Sequence, residues 1–353
     1  MKRLTRYLVA HMVGFSAIVA LVLVAIYTFI SFVADIDQTQ GGFGIGELLM
    51  YSALMMPSGL YLLMPIVALL GTLLGLGALA AQNEITAMRA AGLTVLQLGR
   101  AALLAGVLLG AVEMLLGDVL APLGTQTARS LRTESRDNNP GVLTTRPVWL
   151  RDGNAVVHIG QLIAEDNVRD VSIFLLDEEL RLRSVLHAER GEFVDGRWHL
   201  QTVARSRLDD ASISAEQIEQ LALTATLSPE VLRLFVLEAN SLTTAGLRQL
   251  IHYLDENGLD ARSYRLSLWR KLVAPVTVIA MMLLAVPFVL GSQRGGGAGQ
   301  RLLIGILVGL VFYVVNEVTA STGQLFGWHP LLAAGLPTLV LSALAVLRLA
   351  RAR

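Results

Sequence analysis

Six long apolar segments, three near each end of the chain, limit what this sequence can become more than any other feature. They run near Val9–Ala34, Leu60–Ala81, Leu98–Leu120, Leu272–Leu290, Leu302–Val318 and Leu331–Leu349. A bilayer core of about 30 Å takes roughly 20 apolar helical residues, so each segment reads as a transmembrane helix. With 54% apolar residues, 16% charged residues and a mean hydropathy of +0.59, the composition agrees with a membrane protein. The first segment follows Met1-Lys2-Arg3 and is about 25 residues long, without a small-residue cleavage motif. It reads as a retained helix rather than a signal peptide, long enough to tilt or protrude.

The position of charge sets the expected orientation. Basic and acidic residues balance at 28 each, so net charge decides nothing, but no Lys or Arg lies between Arg6 and Arg89. Lys2, Arg3 and Arg6 precede the first segment, and Arg89 and Arg100 fall between the second and third. Arg294 and Arg301 fall between the fourth and fifth, and Arg348, Arg351 and Arg353 lie around the end of the sixth. With six spans these flanks share one side, which is then cytoplasmic and carries both termini. Arg270 and Lys271 go against the pattern, but they border a long exterior domain, where the rule is weak.

The exterior domain, 126–264, separates the first three helices (1–125) from the last three (265–353). Trp149, Val156, Val171, Ile173, Leu175, Leu182, Trp198 and Leu200 lie on short strand-like runs. Arg151-Asp152-Gly153-Asn154, Asp177-Glu178-Glu179 and Asp195-Gly196 supply turns between them. A sandwich, jellyroll or open barrel is expected, with little helix before Ala239. Thr243-Thr244 then caps a helix carrying Leu247, Leu250, Ile251 and Leu254, ended by Asn257-Gly258. The fold class is α+β: six transmembrane helices in a 3+3 layout with an inserted β-domain.

Chemistry is sparse. Cysteine is absent, which removes disulfides and thiolate sites. His11, His158, His187, His199, His252 and His329 form no His-x-x-x-His pair, and no metal site is expected. The glycine-rich Gly291–Arg301 stretch lacks the Gly-Lys-Ser/Thr ending of a P-loop and joins two spans, so it reads as a loop. No Gly-x-Ser-x-Gly elbow occurs. Glu113 lies inside the third segment, with Asp118 near its end and Asn316-Glu317 near the end of the fifth. They mark either an ion path or inter-helix bonding and solvation close to the interface.

The most informative short stretch runs from Gln82 to Gly92, between the second and third segments. Asn83 suits an N-cap, Glu84 the positive helix start and Gly92 the stop. Ile85 and Met88 share one face, flanked by Glu84 and Arg89. Such a helix either plugs into a partner's groove or lies on lipid headgroups.

Here the chain resembles the LptF/LptG family of lipopolysaccharide export permeases. The resemblance rests on Leu69-Leu70-Gly71-Thr72-Leu73-Leu74-Gly75-Leu76-Gly77 and on Asn83 to Gly92. Val148-Trp149-Leu150-Arg151-Asp152-Gly153, Leu268-Trp269-Arg270-Lys271 and Val286-Pro287-Phe288-Val289 agree with it. The Trp-x-x-Asp-Gly block and Gly299-Gln300-Arg301 favour the LptG side of the family. The resemblance implies a multi-pass protein of the bacterial inner membrane with a periplasmic β-jellyroll, acting as permease subunit of an ABC-type lipopolysaccharide extractor. It implies no enzyme activity and no cofactor in this chain. ATP and Mg would be held by an LptB-like ATPase dimer docking on Glu84, Ile85, Met88 and Arg89. The other implied partners are an LptF-like permease, LptC-like and LptA-like jellyroll proteins, lipopolysaccharide and membrane lipid, with no nucleic acid. A lateral gate of helices one and five would draw on Phe29, Phe32, Gly305 and Gly309. Some relatives place lysines at the outer end of helix one, whereas here Asp35-Ile36-Asp37 is acidic. Lipid phosphates would then be met by other residues, by the partner permease or through bridging divalent cations, and Arg129, Arg132 and Arg136 are candidates on charge alone. The rival readings are a membrane-anchored scaffold for periplasmic partners and an ion-coupled carrier using Glu113 and Glu317.

Overall fold

The computed structural model describes residues 2–36, 43–137, 147–164, 166–177, 179, 181–209, 212–223, 229–236, 239–291 and 298–351. In chain order come α1 (Lys2–Asp35), α2 (Ile45–Ala81), a short α3 (Glu84–Ala90) and α4 (Val95–Leu115). A π-helical turn, Leu116–Leu120, joins α4 to α5 (Ala121–Asp137). Six strands follow: β1 (Val148–Asp152), β2 (Ala155–Ala164), β3 (Asn167–Leu176), β4 (Leu182–Val194), β5 (Arg197–Asp209) and β6 (Ser212–Leu223). The chain then forms α6 (Pro229–Val236), α7 (Thr244–Glu256), α8 (Arg262–Gly291), α9 (Ala298–Leu325) and α10 (Pro330–Arg351). It divides into two compact units, one of Met1–Asp35, Ser52–Thr125 and Arg265–Arg353, the other of Ile36–Tyr51 and Gln126–Tyr264.

Among the described residues six helices are long and apolar enough to cross a membrane: α1, α2, α4 with its continuation, α8, α9 and α10. Two of them overrun the apolar segments that announce them. α2 begins at Ile45 rather than near Leu60, and α4 continues through α5 to Asp137 rather than ending near Leu120. The α5 extension is polar, whereas the Ile45–Gly59 extension of α2 is mostly apolar with Glu47 as its one charge. At 37 residues α2 is about 55 Å long, well beyond a hydrocarbon core. Of the Gly291–Arg301 stretch, 292–297 lie outside the described residues, as do 37–42 with most of the acidic stretch after α1.

The core of the helical unit is built on α2, α4 and α8. Leu69, Leu73 and Leu76 of α2, Ala101, Ala102 and Ala105 of α4, and Met281, Met282 and Ala285 of α8 are buried in one cluster. Lipid solvates a leucine as well as another helix does, so close packing of small faces, rather than hydrophobicity, holds such a bundle together. The alanines of α4 provide that small face.

In the second unit the β region proper is narrower than expected, since α5 reaches Asp137 and α6 precedes Ala239. The six strands form one antiparallel sheet in strict chain order, leaving β1 and β6 as its edges. Its inward residues break the period-two rule at one place on each strand from β2 to β6. Ile159 and Leu162, Val168 and Val171, Ala188 and Gly191, Leu200 and Val203, and Ile218 and Leu221 all turn inward three residues apart. The pairing registers pass over Gly160, Asp170, Glu189, Thr202 and Glu219 at the same row. Asp170 and Thr202 there have φ of 55° and 53°. Local departures of this kind bend strands, and aligned across neighbours they crease the sheet along one line. The jellyroll-like domain is thus a single creased meander.

Helix α7 follows its sequence signals. Thr243 accepts from the Gly246 N–H at 3.0 Å, Leu247, Leu250 and Leu254 are buried, and Gly258 at φ 65° follows the stop. Tyr253 donates to the Arg151 carbonyl at 2.7 Å, and Asn257 accepts from Gly153 N–H at 3.2 Å. The Trp149–Gly153 block is thereby tied to α7.

At the β3–β4 turn, Asp177 accepts from the backbone N–H groups of Arg181 at 2.8 Å and Glu179 at 3.0 Å, and pairs with the Arg181 side chain at 3.2 Å. The Arg181 backbone bond, followed by that residue's charge, holds the Asp177 carboxyl below the usual carboxylate range. A depressed folded-state value means that the turn's stabilisation is complete at neutral pH and fades as pH falls through it. Amide exchange at Arg181, corrected for intrinsic rates, should stay protected at pH 7 and speed up only below about pH 4. Asp177→Asn should remove that pH dependence.

Candidate functional site

The short helix α3 is defined at both ends by backbone geometry. Gly92, at φ 98°, donates to the Arg89 carbonyl at 3.0 Å, and Leu93 donates to Met88 at 2.9 Å. This is a Schellman stop, as the glycine promised. The start differs from expectation. Asn83 sits at the N-cap position in the left-handed region, φ 60°, and its side chain makes no capping bond. Asparagine tolerates that conformation, and here it turns the chain sharply from α2 into α3. The capping box lies one helix later, where Thr94 accepts from Gln97 N–H at 3.3 Å and Gln97 accepts from Thr94 N–H at 3.0 Å. The Thr-x-x-Gln spacing was a readable signal for it.

The facing of α3 is also reversed. Ile85 is 1% exposed and belongs to the helical core, with Met88 packed against the same cluster. Two apolar residues on one face find that face filled by their own bundle. Thr86, Ala87 and Ala90 form the exposed side, and Arg89 is half-buried. Glu84 accepts a hydrogen bond from the Tyr7 hydroxyl of α1 at 2.9 Å, a contact across 77 residues of sequence.

Of the six spans, α1 and α9 have the least covered surfaces. On α1, Leu8, Met12, Ser16 and Val19 make a buried stripe. Gly71 and Gly75 of α2 lie directly beneath it: a Cβ on Gly71 would strike the Ser16 backbone, and one on Gly75 would sit 3.0 Å from the His11 carbonyl. Further along, α1 is bare: Phe29 is 67% exposed, while Phe32 is half-buried. On α9, Gly305 and Gly309 do not face outward. Gly305 packs on Leu70 and Leu73 and Gly309 on Ile66, all of this chain's α2. The bare stripe of α9 is Leu303, Leu307, Leu310, Val311, Val314 and Val318.

The polar residues inside the spans include two ion pairs and a buried glutamate. Lys271 donates to the Gly117 carbonyl at 2.7 Å and lies 3.7 Å from Asp118. Gly117 belongs to the π-helical turn, where the ordinary helical ladder is broken and a carbonyl can bond elsewhere. Arg270 pairs with Glu317 of α9 at 2.9 Å. The two cations that went against the charge rule are thus paired, and that anomaly was their signal. Glu113 is 1% exposed, with no hydrogen-bond partner for Oε2. It lies one turn beyond Gly110, on the stripe of α4 that meets Pro275 and Ile279 of α8. Tyr61 interacts electrostatically with Glu113, Asp118 and Arg270, and Arg270 in turn pairs with Glu317, so these groups lie in one neighbourhood.

In the second unit the Arg132 guanidinium lies over the rings of Phe43 at 5.9 Å and Tyr51 at 5.3 Å, a paired cation–π arrangement. Arg129 is half-buried on α5, and the side chain of Arg136 lies outside the described residues. Ser172 and Asp170 both approach His187, at 3.2 and 3.8 Å, but through the same Nδ1 atom. A hydrolytic triad needs the two ring nitrogens to serve different partners. Among the described residues no cluster of three metal-ligating side chains occurs.

Among the described residues, six helices long and apolar enough to cross a membrane, with a β-domain inserted between the third and fourth, define a multi-pass membrane protein. The family model for the lipopolysaccharide export system permease LptF/LptG matches residues 6–351, and the chain belongs to that family. It is similar to the lipopolysaccharide export system permease protein LptG of Escherichia coli (strain K12), with 32% identity over 320 residues, 90% of this chain and 89% of that protein. It is also 30% identical to LptG of Haemophilus influenzae over 341 residues, 96% of this chain and 95% of that protein. Membership of this family makes it a multi-pass inner-membrane protein and a lipopolysaccharide-exporting permease subunit.

The α1–α2 seam should be intolerant of a single methyl group. Gly71→Ala should cost about 1–3 kcal/mol through overpacking. Gly14→Ala, where a Cβ meets nothing within 4 Å, should be neutral or slightly stabilising. Thermal unfolding of the detergent-purified chain compares the two.

Proposed function

We propose that this chain is the LptG-type half of a permease that draws lipopolysaccharide from the outer leaflet of the inner membrane and hands it to a periplasmic bridge. Its termini and α3 face the cytoplasm, as the basic flanks Lys2-Arg3, Arg6, Arg89, Arg100, Arg348 and Arg351 favour. The β-domain is periplasmic. An LptF-like permease is the second half, and an LptB-like ATPase dimer, holding ATP and Mg, docks on α3. LptC-like and LptA-like jellyrolls extend the bridge by strand addition at a free edge, β1 or β6.

The observation that carries this reading is the burial of Ile85. A helix that merely lay on headgroups would turn its apolar face to lipid. α3 instead roots that face in the bundle core and offers Thr86, Ala87 and Ala90 outward, with Glu84 and Arg89 at its margins. A push on such a helix moves the bundle. That favours an ATP-driven extractor over a passive scaffold.

The bare stripes of α1 and α9 form this subunit's share of the two lateral gates, each against the opposite helix of the partner permease. Phe29 lies on the gate face, whereas Gly305 and Gly309 are packing residues behind it. Arg129, Arg132 and Arg136 serve the lipid phosphates, Arg132 held in place by its two rings.

Glu84→Lys should leave the chain in the membrane but weaken ATPase co-purification or lipid export, because a contact charge is reversed. Normal assembly and normal export together would remove α3 from the coupling path. The chain has no cysteine of its own, so engineered pairs report cleanly. Phe29→Cys should cross-link to cysteines on helix five of the partner permease, and closing that bond should stop export. A cysteine at Gly309 should not cross-link. Efficient cross-linking at Phe29 with unchanged export would place the gate elsewhere.

A further inference from the structure

We infer that Tyr7 is a positioning residue for energy coupling: its hydroxyl holds Glu84 in the orientation an ATPase partner reads and ties that contact to the gate helix α1. The inference rests on the docking role proposed for α3. The geometry is a two-point attachment between neighbouring residues. Tyr7 donates to Glu84 Oε2 at 2.9 Å. The next residue on each side, Leu8 and Ile85, is 1% exposed in the same buried cluster, which also includes Met12. One hydrogen bond and one shared apolar cluster, at adjacent residues on both helices, fix the rotation of α3 against α1.

The donor is itself held. The Tyr7 ring lies 4.3 Å from the His11 ring, and His11 Nδ1 is 3.1 Å from the Tyr7 carbonyl oxygen. A carboxylate can accept at both oxygens, so Glu84 can keep Tyr7 on Oε2 while Oε1 meets a partner cation. The rod that would carry the signal is α1, one unbroken helix of 34 residues without proline. Its inner half is seated on Gly71 and Gly75, and its far end carries Phe29. A tilt imposed at Tyr7 therefore appears at the bare end of α1.

The test uses the assembled permease–ATPase complex in lipid vesicles containing lipopolysaccharide. ATP hydrolysed and lipopolysaccharide released are measured together. Tyr7→Phe removes one hydroxyl at a 37% exposed site and should leave the complex intact and its hydrolysis near normal. Lipid released per ATP should fall about threefold to tenfold, the range for losing one ordinary, solvent-accessible hydrogen bond. If the two residues act as a unit, Tyr7→Phe should cost nothing further in a Glu84→Ala background. Wild-type yield in Tyr7→Phe overturns the inference, and so do independent, multiplying effects of the two changes. A Tyr7→Phe complex that loses its ATPase also overturns it, because the contact then serves assembly. Normal export by Glu84→Lys would sink the docking role itself, whereas impaired Glu84→Lys beside normal Tyr7→Phe would sink only this inference.

Discussion

Close approach of helix backbones is the constraint on which the helical unit depends. In hydrocarbon, apolar side chains gain little by leaving lipid for one another, so cohesion comes from packing at short range. α2 is where that packing concentrates. It seats α1 on Gly71 and Gly75, and its Ile66, Leu70 and Leu73 receive the glycines of α9. Two helices with largely bare outer surfaces are thus fastened along their inner faces to one buried helix. That arrangement lets α1 and α9 present apolar stripes to lipid or to a partner without loosening the subunit.

The same logic explains the charges. An ion inside a span is tolerable when a partner neutralises it near the interface. Lys271 finds the Gly117 carbonyl and Asp118, and Arg270 finds Glu317. The π-helical turn is the local price of the first of these contacts. Glu113 is buried with one carboxylate oxygen lacking a hydrogen-bond partner.

Much of this architecture was legible in sequence, because the relevant signals are local. The six spans follow from hydropathy, α7 from Thr243 and Gly258, and the end of α3 from Gly92. What was not legible concerns direction. Periodicity told that Ile85 and Met88 share a face, but not that their own bundle covers it. The Gly305–Gly309 spacing announced a close approach without naming the helix approached. Asn83 fitted a cap by residue type, yet the turn out of α2 required its left-handed backbone instead. Tyr7 and Glu84 are joined only by the tertiary fold, and no pattern within either segment pairs them.

The crease in the sheet also escaped a period-two reading, because it replaces one step of two by a step of three. Its alignment across β2 to β6 has a consequence for how such a domain can change. Hairpin turns can lengthen or shorten without disturbing the strands they join. A single inserted or deleted residue between a turn and the row of Gly160, Asp170, Glu189, Thr202 and Glu219 would shift one strand's bend out of line with its neighbours. Beyond that point every side chain of the strand would exchange the inward face of the sheet for the outward one. Length variation in this domain is therefore confined to its rims, and the distance from each turn to the crease is a quantity that all five strands hold in common.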